Sequence, residues 1–338
     1  MGETKSNPHD HAPRRVAVLG GGRWARALAE SLCREPGRVD TVLHYRAGRA
    51  AEDAPQPSEA TPTRLTAVTD LAALAQAELL FLAVAAGSAR QLLREAAAAG
   101  GLHGGQLLCH AIGSLEPGAA ELTRISDVVR QETALRRIGA LAGPALAQDL
   151  EESRPAALVC GSRFDEVGAA AARALSSPAL RVYATRDLIG VELARATVAV
   201  VALAGGIAQA LNLGPAARAV LVTRGAAEMA RLGVALGASE RTFYGLAGLG
   251  EMVVATEGRG SADFELGVLL AKGVDLEQAQ QRIGRTCDSP IMVKEAFAQA
   301  QARKVRMTLV TALHRWIGGQ RSTVQALRDL FASDGLGE

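Results

Sequence analysis

Two stretches carry residues that could do chemistry. The first is Gly20-Gly21-Gly22-Arg23-Trp24-Ala25, which fits G-x-G-x-x-A directly after the apolar β-branched run RVAVL. In such a loop the first glycine makes a tight turn. The second lets backbone approach a pyrophosphate, and the small third residue allows close helix–strand packing. The phosphates then meet free N–H groups and the positive dipole end of the following helix. Gly20, Gly22, Arg23 and Trp24 are therefore candidate dinucleotide contacts. After the second apolar run, VDTVLHYR, no ribose-binding acid follows. Arg46 stands there instead, with Arg49 nearby. Arginine suits a 2′-phosphate, so NADP is at least as plausible a ligand as NAD; a solvated strand end is the other reading of Arg46.

The second stretch is the long apolar run ARATVAVVALAGGIAQAL from Ala194 to Leu211. The segment Thr197 to Leu213 is Ala/Gly-rich and follows Arg195, so it reads as a buried core helix, not a membrane span. The chain has four lysines, Lys5, Lys272, Lys294 and Lys304, and none lies between residues 6 and 271.

These stretches need a frame to hold them. A length of 338 residues, at roughly 150 per domain, suggests two domains. The first half alternates apolar runs with helical spacing: AELLFLAVA, ARQLLREAAAAG, GQLLCHAIGS, RIGALAGP and PAALVCG. That alternation predicts an α/β fold with a doubly wound, Rossmann-type parallel sheet. From Asp187 onward the runs all have helical spacing, which predicts an all-α C-terminal domain. The expected organisation is a disordered tail over 1–13, a dinucleotide-binding domain over 14–186 and a helical substrate or dimerisation domain over 187–338. A formal net charge of +2 argues against a nucleic-acid partner or an anionic membrane surface. The polar start lacks the apolar core of a signal peptide. Four cysteines without metal-ligand spacing read as free thiols of a reducing, cytoplasmic compartment, and His44, His103, His110 and His314 form no metal motif.

Over Arg15 to Phe331 the chain resembles the bacterial NAD(P)-dependent sn-glycerol-3-phosphate dehydrogenases. The segments that carry this are VAVLGGGRWARALA, LAGPALAQDL, LRVYATRDLIGVELARA, LVTRGAAEMARLGVALGASERTFYGLAGLGEM and IGRTCDSPIMVKEA. The resemblance implies a homodimer and an active site built from Gly143, Ala145, Ala199, Ser261, Ala262 and Asp263, with Ala147 and Asp288 as further cofactor contacts. It then breaks at the chemistry. A gap-free alignment from Gly190 to Arg218 puts Val198 at the family's catalytic lysine and Ala199 at its asparagine. A second family lysine falls at Ile112. The family's S-R-N triplet, which grips substrate phosphate and cofactor, is Ser261-Ala262-Asp263. A motif aspartate is Glu251, and a motif glutamate is Asp288.

Reduction of a carbonyl needs a proton donor within about 3 Å of its oxygen. Lysine serves because its pKa is tunable; valine and isoleucine cannot. Exchange of Lys for Arg by codon bias does not produce Val198, Ile112 or Ala262. The expectation is a scaffold with its reactive centre rebuilt in apolar form. It is an NAD(P)-binding pseudoenzyme with a sensing or interaction role. The alternatives are a reductase of a different, unphosphorylated substrate, using Glu251, His110 or water as proton source, and a genuine glycerol-3-phosphate dehydrogenase. Arg218 and Arg224 are expected in structural ion pairs.

Overall fold

The computed structural model describes residues 13–34, 40–44, 65–117, 122–258, 260–320 and 325. All but the last residue of the expected tail, and Arg46 with Arg49, lie outside the described residues. Chain contacts divide the protein into two compact units. One comprises residues 1–112, 123–141 and 145–188; the other comprises 113–122, 142–144 and 189–338.

The first unit is an eight-stranded sheet. Its strands are β1 (Arg15–Leu19), β2 (Asp40–His44), β3 (Leu65–Val68), β4 (Leu79–Leu82), β5 (Leu107–His110), β6 (Ile138–Ala142), β7 (Ala156–Ser162) and β8 (Leu180–Thr185). The spatial order is β3-β2-β1-β4-β5-β6-β7-β8. The β1–β2, β1–β4, β2–β3, β4–β5, β5–β6 and β7–β8 pairs are parallel. The order reverses between β1 and β4, the position where open α/β sheets bind ligands at their carboxyl ends.

The central strands β1, β4 and β6 are almost wholly apolar because both faces are covered. Val16 and Val18 of β1 belong to one core, with Ala25, Leu28 and Leu32 of α1 (Arg23–Cys33). Ala17 and Leu19 point the other way, into a core with Leu93 of α2 (Ala86–Ala98) and Val128 of α3 (Ile125–Glu132). This is the period-2 alternation of a strand dividing two layers. Helices α4 (Ala147–Glu151) and α5 (Asp165–Leu175) complete the unit.

The second unit is helical. It contains α6 (Leu188–Ala210), α7 (Gly214–Ala235), α8 (Glu240–Tyr244), α9 (Glu251–Thr256), α10 (Ala262–Ala271), α11 (Leu276–Ile283), α12 (Ser289–Arg303) and α13 (Thr308–Ile317). Helix α6 is long and apolar enough to cross a membrane, with mean hydropathy 1.8, yet 89% of that stretch is buried in protein. It is hydrophobic all round because it is wrapped all round. Its close packing depends on glycine. A Cβ on Gly206 would lie 2.0 Å from the Phe264 carbonyl oxygen, and one on Gly267 would lie 2.2 Å from that of Leu203, so α6 and α10 touch backbone to backbone.

Two strands, β3 and β8, are absent from the sequence reading. LTAV is four residues long and only half-buried, so it carries no apolar run. LRVYAT alternates buried and exposed residues over its first four positions. It belongs to the sheet edge, beyond the continuous apolar strands that periodicity detects most readily.

Candidate functional site

The glycine loop leaves β1 at the switch point. Gly20 has φ +142°, and a Cβ there would lie 2.1 Å from the Ala83 carbonyl oxygen, immediately after β4. Only glycine tolerates both the backbone conformation and that approach. The Gly20 N–H donates to the His44 carbonyl at 3.0 Å, fixing the turn against the end of β2. Gly22 is the N-cap of α1. It has no side chain to cap the helix, and the first turn holds no acid. A Cβ on Gly22 would meet nothing within 4 Å, so the space outside the helix N-terminus is open. Trp24, Ala145 and Ala147 pack against the apolar core that holds α1. Arg23 is paired with Glu151. Open space, uncapped N–H groups and a positive dipole end fit a dinucleotide pyrophosphate. Gly20 to Gly22 and the first turn of α1 are the residues that would hold it.

The second group of candidate residues meets in the helical unit, around a side chain the sequence reading passed over. Arg195 lies on α6 one turn before Val198. Its guanidinium pairs with the Glu251 carboxylate. It also packs flat on Gly113, where an added Cβ would lie 3.1 Å from Cζ, Nε and Nη2. Glu251 Oε2 accepts the Gly143 N–H at 3.0 Å. Two further carboxylates face the same cation, since Asp288 and Asp263 both act on Arg195 through their charge. Asp263 Oδ1 accepts the Ser289 N–H at 2.7 Å, and Asp288 is hydrogen-bonded to the Ser114 side chain.

The electrostatics follow from burial. Asp263 is pushed up to about 6, mainly by burial; Asp288 adds to the rise and Ser289 opposes it. Burial also raises Asp288, against the Ser114 hydrogen bond and the Arg195 charge. Arg195 is lowered by burial and held up by the two aspartates. Among the described residues the centre therefore brings together three carboxyl groups and one guanidinium. Burying charge disfavours ionisation unless partners compensate. Glu251 is compensated by Arg195 and the Gly143 N–H; for Asp263 the Ser289 hydrogen bonds oppose the effect of burial.

Val198 and Ala199 are buried beside this group on α6, at 4% and 6% exposure. Both side chains at these positions are apolar, and a cation, Arg195, stands one turn earlier on the helix. Glu251, considered as a proton source, is engaged by two partners, the Arg195 guanidinium and the Gly143 N–H. His110 and Ile112 are buried in the sheet unit, at and just beyond the end of β5. Ser261 is the N-cap of α10, accepting the Phe264 N–H at 3.2 Å, and Ala262 opens that helix. The sequence carried one signal for Arg195: it is the sole charged residue between Glu192 and Arg218.

Other motif residues hold the helical unit together. Arg224 donates to Thr308 Oγ1 at 3.0 Å. Glu228, buried, accepts Thr308 Oγ1 at 2.7 Å and the N–H groups of Leu309 at 2.8 Å and Val310 at 3.3 Å, capping α13. Arg218 lies 3.7 Å from Glu257.

Comparison with known proteins agrees with this arrangement. Residues 15–167 match the model of the NAD-dependent glycerol-3-phosphate dehydrogenase N-terminus, and residues 187–328 match that of its C-terminus. A glycerol-3-phosphate dehydrogenase [NAD(P)+] of Methylibium petroleiphilum is 36% identical over 330 residues, spanning 94% of this chain and 96% of that protein. One from Delftia acidovorans is 34% identical, spanning 96% and 99%. The crystal structure of glycerol-3-phosphate dehydrogenase from Coxiella burnetii superposes with TM-score 0.85 at 28% identity, covering 96% of this chain and all of that one.

Proposed function

Because this chain belongs to the NAD-dependent glycerol-3-phosphate dehydrogenase family, we propose that it binds NAD or NADP at Gly20–Gly22 but does not carry out the reaction of its relatives. In this reading it is a pseudoenzyme whose retained scaffold serves sensing or interaction. The observation that carries the reading is the composition of the helical centre. No amine stands at 198, and the one cation of this group among the described residues, Arg195, is already bound by Glu251 with Asp263 and Asp288 nearby. A phosphorylated substrate would meet carboxylates where it needs donors. Without a tunable amine there is no group to protonate the carbonyl oxygen in the manner of lysine.

Titrating purified protein with NADPH and NADH, by cofactor fluorescence, tests the first half of the reading. Adding dihydroxyacetone phosphate tests the second. The expected result is cofactor binding with turnover far below about 10 s⁻¹, a typical enzyme value; turnover within tenfold of that figure overturns the pseudoenzyme and restores a genuine glycerol-3-phosphate dehydrogenase.

A second reading has one observation in its favour. Asp263, with its pKa raised to about 6, keeps a protonated fraction closer to neutrality than an ordinary carboxyl does. That favours a reductase acting on an unphosphorylated substrate. A panel of uncharged and cationic carbonyl compounds, assayed with NADPH between pH 5.5 and 8, separates it from the pseudoenzyme. Within either reading the chain is a cytoplasmic homodimer. The large exposed apolar residues of the helical unit support an interface there: Val220, Val234, Tyr244, Val253 and Ile291 are 40–50% exposed. Light scattering after size exclusion checks the oligomeric state.

A further inference from the structure

The open end of α1 carries a cation whose partner is supplied by the chain itself. Arg23 is the first residue of α1, adjacent to Gly22. Its Nε donates to Glu151 Oε1 at 2.9 Å and its Nη2 to Oε2 at 2.6 Å, a two-pronged pairing. Glu151 is the last residue of α4. That end is anchored to the other end of α1: Arg34 Nη2 donates to the Glu151 carbonyl at 2.8 Å, and Arg34 Nη1 to Ser153 Oγ at 2.7 Å. The backbone of Glu151 is thus pinned, while its carboxylate reaches the residue next to the cofactor loop.

Glu151 is ionised at neutral pH. The Arg23 hydrogen bond and charge hold its carboxyl below the usual range, and the charges of Arg26 and Arg34 add to this. Arg23 is raised in turn, with Glu151 as the main cause and Glu152 as a minor one. The neighbouring Glu152 is paired with Arg154. The Arg23 side chain is 61% exposed and that of Glu151 is 32% exposed. An ion pair this exposed is weak and exchanges readily. A pyrophosphate at the uncapped N–H groups of α1 lies within the reach of an arginine at the first helical position. It offers the same planar fork a second, doubly charged partner.

We propose that Glu151 is an internal anion that competes with the cofactor's pyrophosphate for Arg23, and so sets the affinity of the loop for dinucleotides. The carboxylate acts in two ways with one sign. It occupies the guanidinium, and its charge repels the incoming phosphates. Neutralising it releases Arg23 to the ligand and removes the repulsion. This inference concerns cofactor affinity and is independent of whether the helical centre is catalytic.

The test is equilibrium binding of NADPH and NADH to the full-length protein and to Glu151→Gln, Arg23→Ala, the double variant and Glu152→Gln. Glu151→Gln is expected to tighten both cofactors about 2- to 5-fold, the scale on which an exposed, charge-assisted pair acts. Arg23→Ala is expected to weaken both, and most of the Glu151→Gln gain is expected to vanish on that background. Glu152→Gln, whose carboxylate has its own arginine, is expected to change either affinity less than twofold. Thermal melting of the cofactor-free proteins checks that the variants are folded. Unchanged or weaker binding by folded Glu151→Gln overturns the proposal, because a carboxylate that merely orients Arg23 gives that sign. A gain that persists in full without Arg23 also overturns it, leaving only a general field effect. Absence of dinucleotide binding in both wild type and Glu151→Gln overturns it together with the cofactor assignment, whereas turnover of dihydroxyacetone phosphate bears on the proposed function alone.

Discussion

Glu251 joins two donors with one carboxylate: it pairs with the Arg195 guanidinium and accepts the Gly143 N–H at 3.0 Å. The Arg195 side chain is a third exposed and that of Glu251 is 9% exposed. Removing one member of such a pair costs more than removing both, because the survivor stays buried without compensation. Arg195→Ala should therefore destabilise the protein by about 2–4 kcal/mol, somewhat below the fully buried limit. Glu251→Gln keeps an acceptor for Gly143 and should cost less. Urea denaturation of both variants checks the order. Equal or reversed losses would overturn the expected order, since Arg195→Ala removes the Gly113 packing as well as the pair.

Asp263 makes stability depend on pH in a stated direction. Its ordinary pKa is 3.8 and burial raises it to about 6 in the folded protein. The folded state therefore holds this proton more tightly than the unfolded chain. The sign is that of a raised acid: folding is favoured below pH 3.8, and that contribution is lost as pH rises toward 6. At 1.36 kcal/mol per unit the loss is about 2–3 kcal/mol. Asp288, also raised by burial, adds to it with the same sign. Asp263→Asn should remove much of this dependence and stabilise the protein at pH 7.5 relative to wild type. Paired melts at pH 4.5, 6.0 and 7.5 decide the matter. A wild type that loses ground to Asp263→Asn as the pH falls contradicts the assignment.

The Glu228 carboxylate caps a helix 80 residues away in sequence, through Thr308, Leu309 and Val310. Helix α13 begins at Thr308, and its N-cap, Met307, offers no side-chain acceptor. Glu228→Ala leaves the first N–H groups of α13 without that partner and should cost about 1–3 kcal/mol. Glu228→Gln keeps one acceptor oxygen and should recover part of the loss. Hydrogen exchange at Leu309 and Val310, faster in the alanine variant, would localise the effect.

What was legible in the sequence was set by local physics. The β1–glycine–α1 unit could be read because strand, turn and helix each leave a pattern within a few residues, and Gly20 does what only glycine can do there. The long helix α6 was legible from its apolar composition. Arg195 was not. Its partners Glu251, Asp263 and Asp288 lie 56 or more residues away, and nothing in the run around it announces an ion pair. Asp263 was read only as the residue at the third position of the family's S-R-N triplet. Its raised pKa comes from burial between α10 and α12, a property of packing that spacing does not encode. Glu228 belongs to a motif that reads as functional, and its carboxylate serves as a cap.

Cys109 and Cys160 have their sulfurs 3.4 Å apart, both fully buried. They belong to β5 and β7, which β6 separates, and they meet over Gly139. Two strand spacings place the backbones roughly 9–10 Å apart. A disulfide needs Cα atoms within about 7 Å. Burial also raises the Cys109 thiol, which lowers its thiolate content. Both thiols should remain free after mild oxidation of the folded protein. Mass mapping without reduction checks this, and a Cys109–Cys160 linked peptide would require that the sheet opens.

The final prediction concerns recovery of the family's reaction. Val198→Lys alone places an amine on α6 one turn from Arg195, with no asparagine at 199 beside it. That variant should be inert toward dihydroxyacetone phosphate and neutral or destabilising, since an unpaired buried charge costs several kcal/mol. The changes Val198→Lys, Ala199→Asn, Ile112→Lys, Ala262→Arg and Asp263→Asn act together. They restore a proton donor, supply a phosphate-binding fork and remove the raised carboxyl at 263. Residues that act as a unit are strongly non-additive. NADPH-dependent reduction of dihydroxyacetone phosphate should be detectable in the quintuple variant and in none of the single ones. Arg195 and Glu251 remain in that protein, and their pair is the next obstacle. If the folded quintuple variant binds NADPH and stays inert, adding Arg195→Gly should reveal activity by freeing the space over Gly113. Continued inertness in that sixfold variant would mean that the helical centre has been reshaped for another ligand, which is the outcome the unphosphorylated-substrate reading requires.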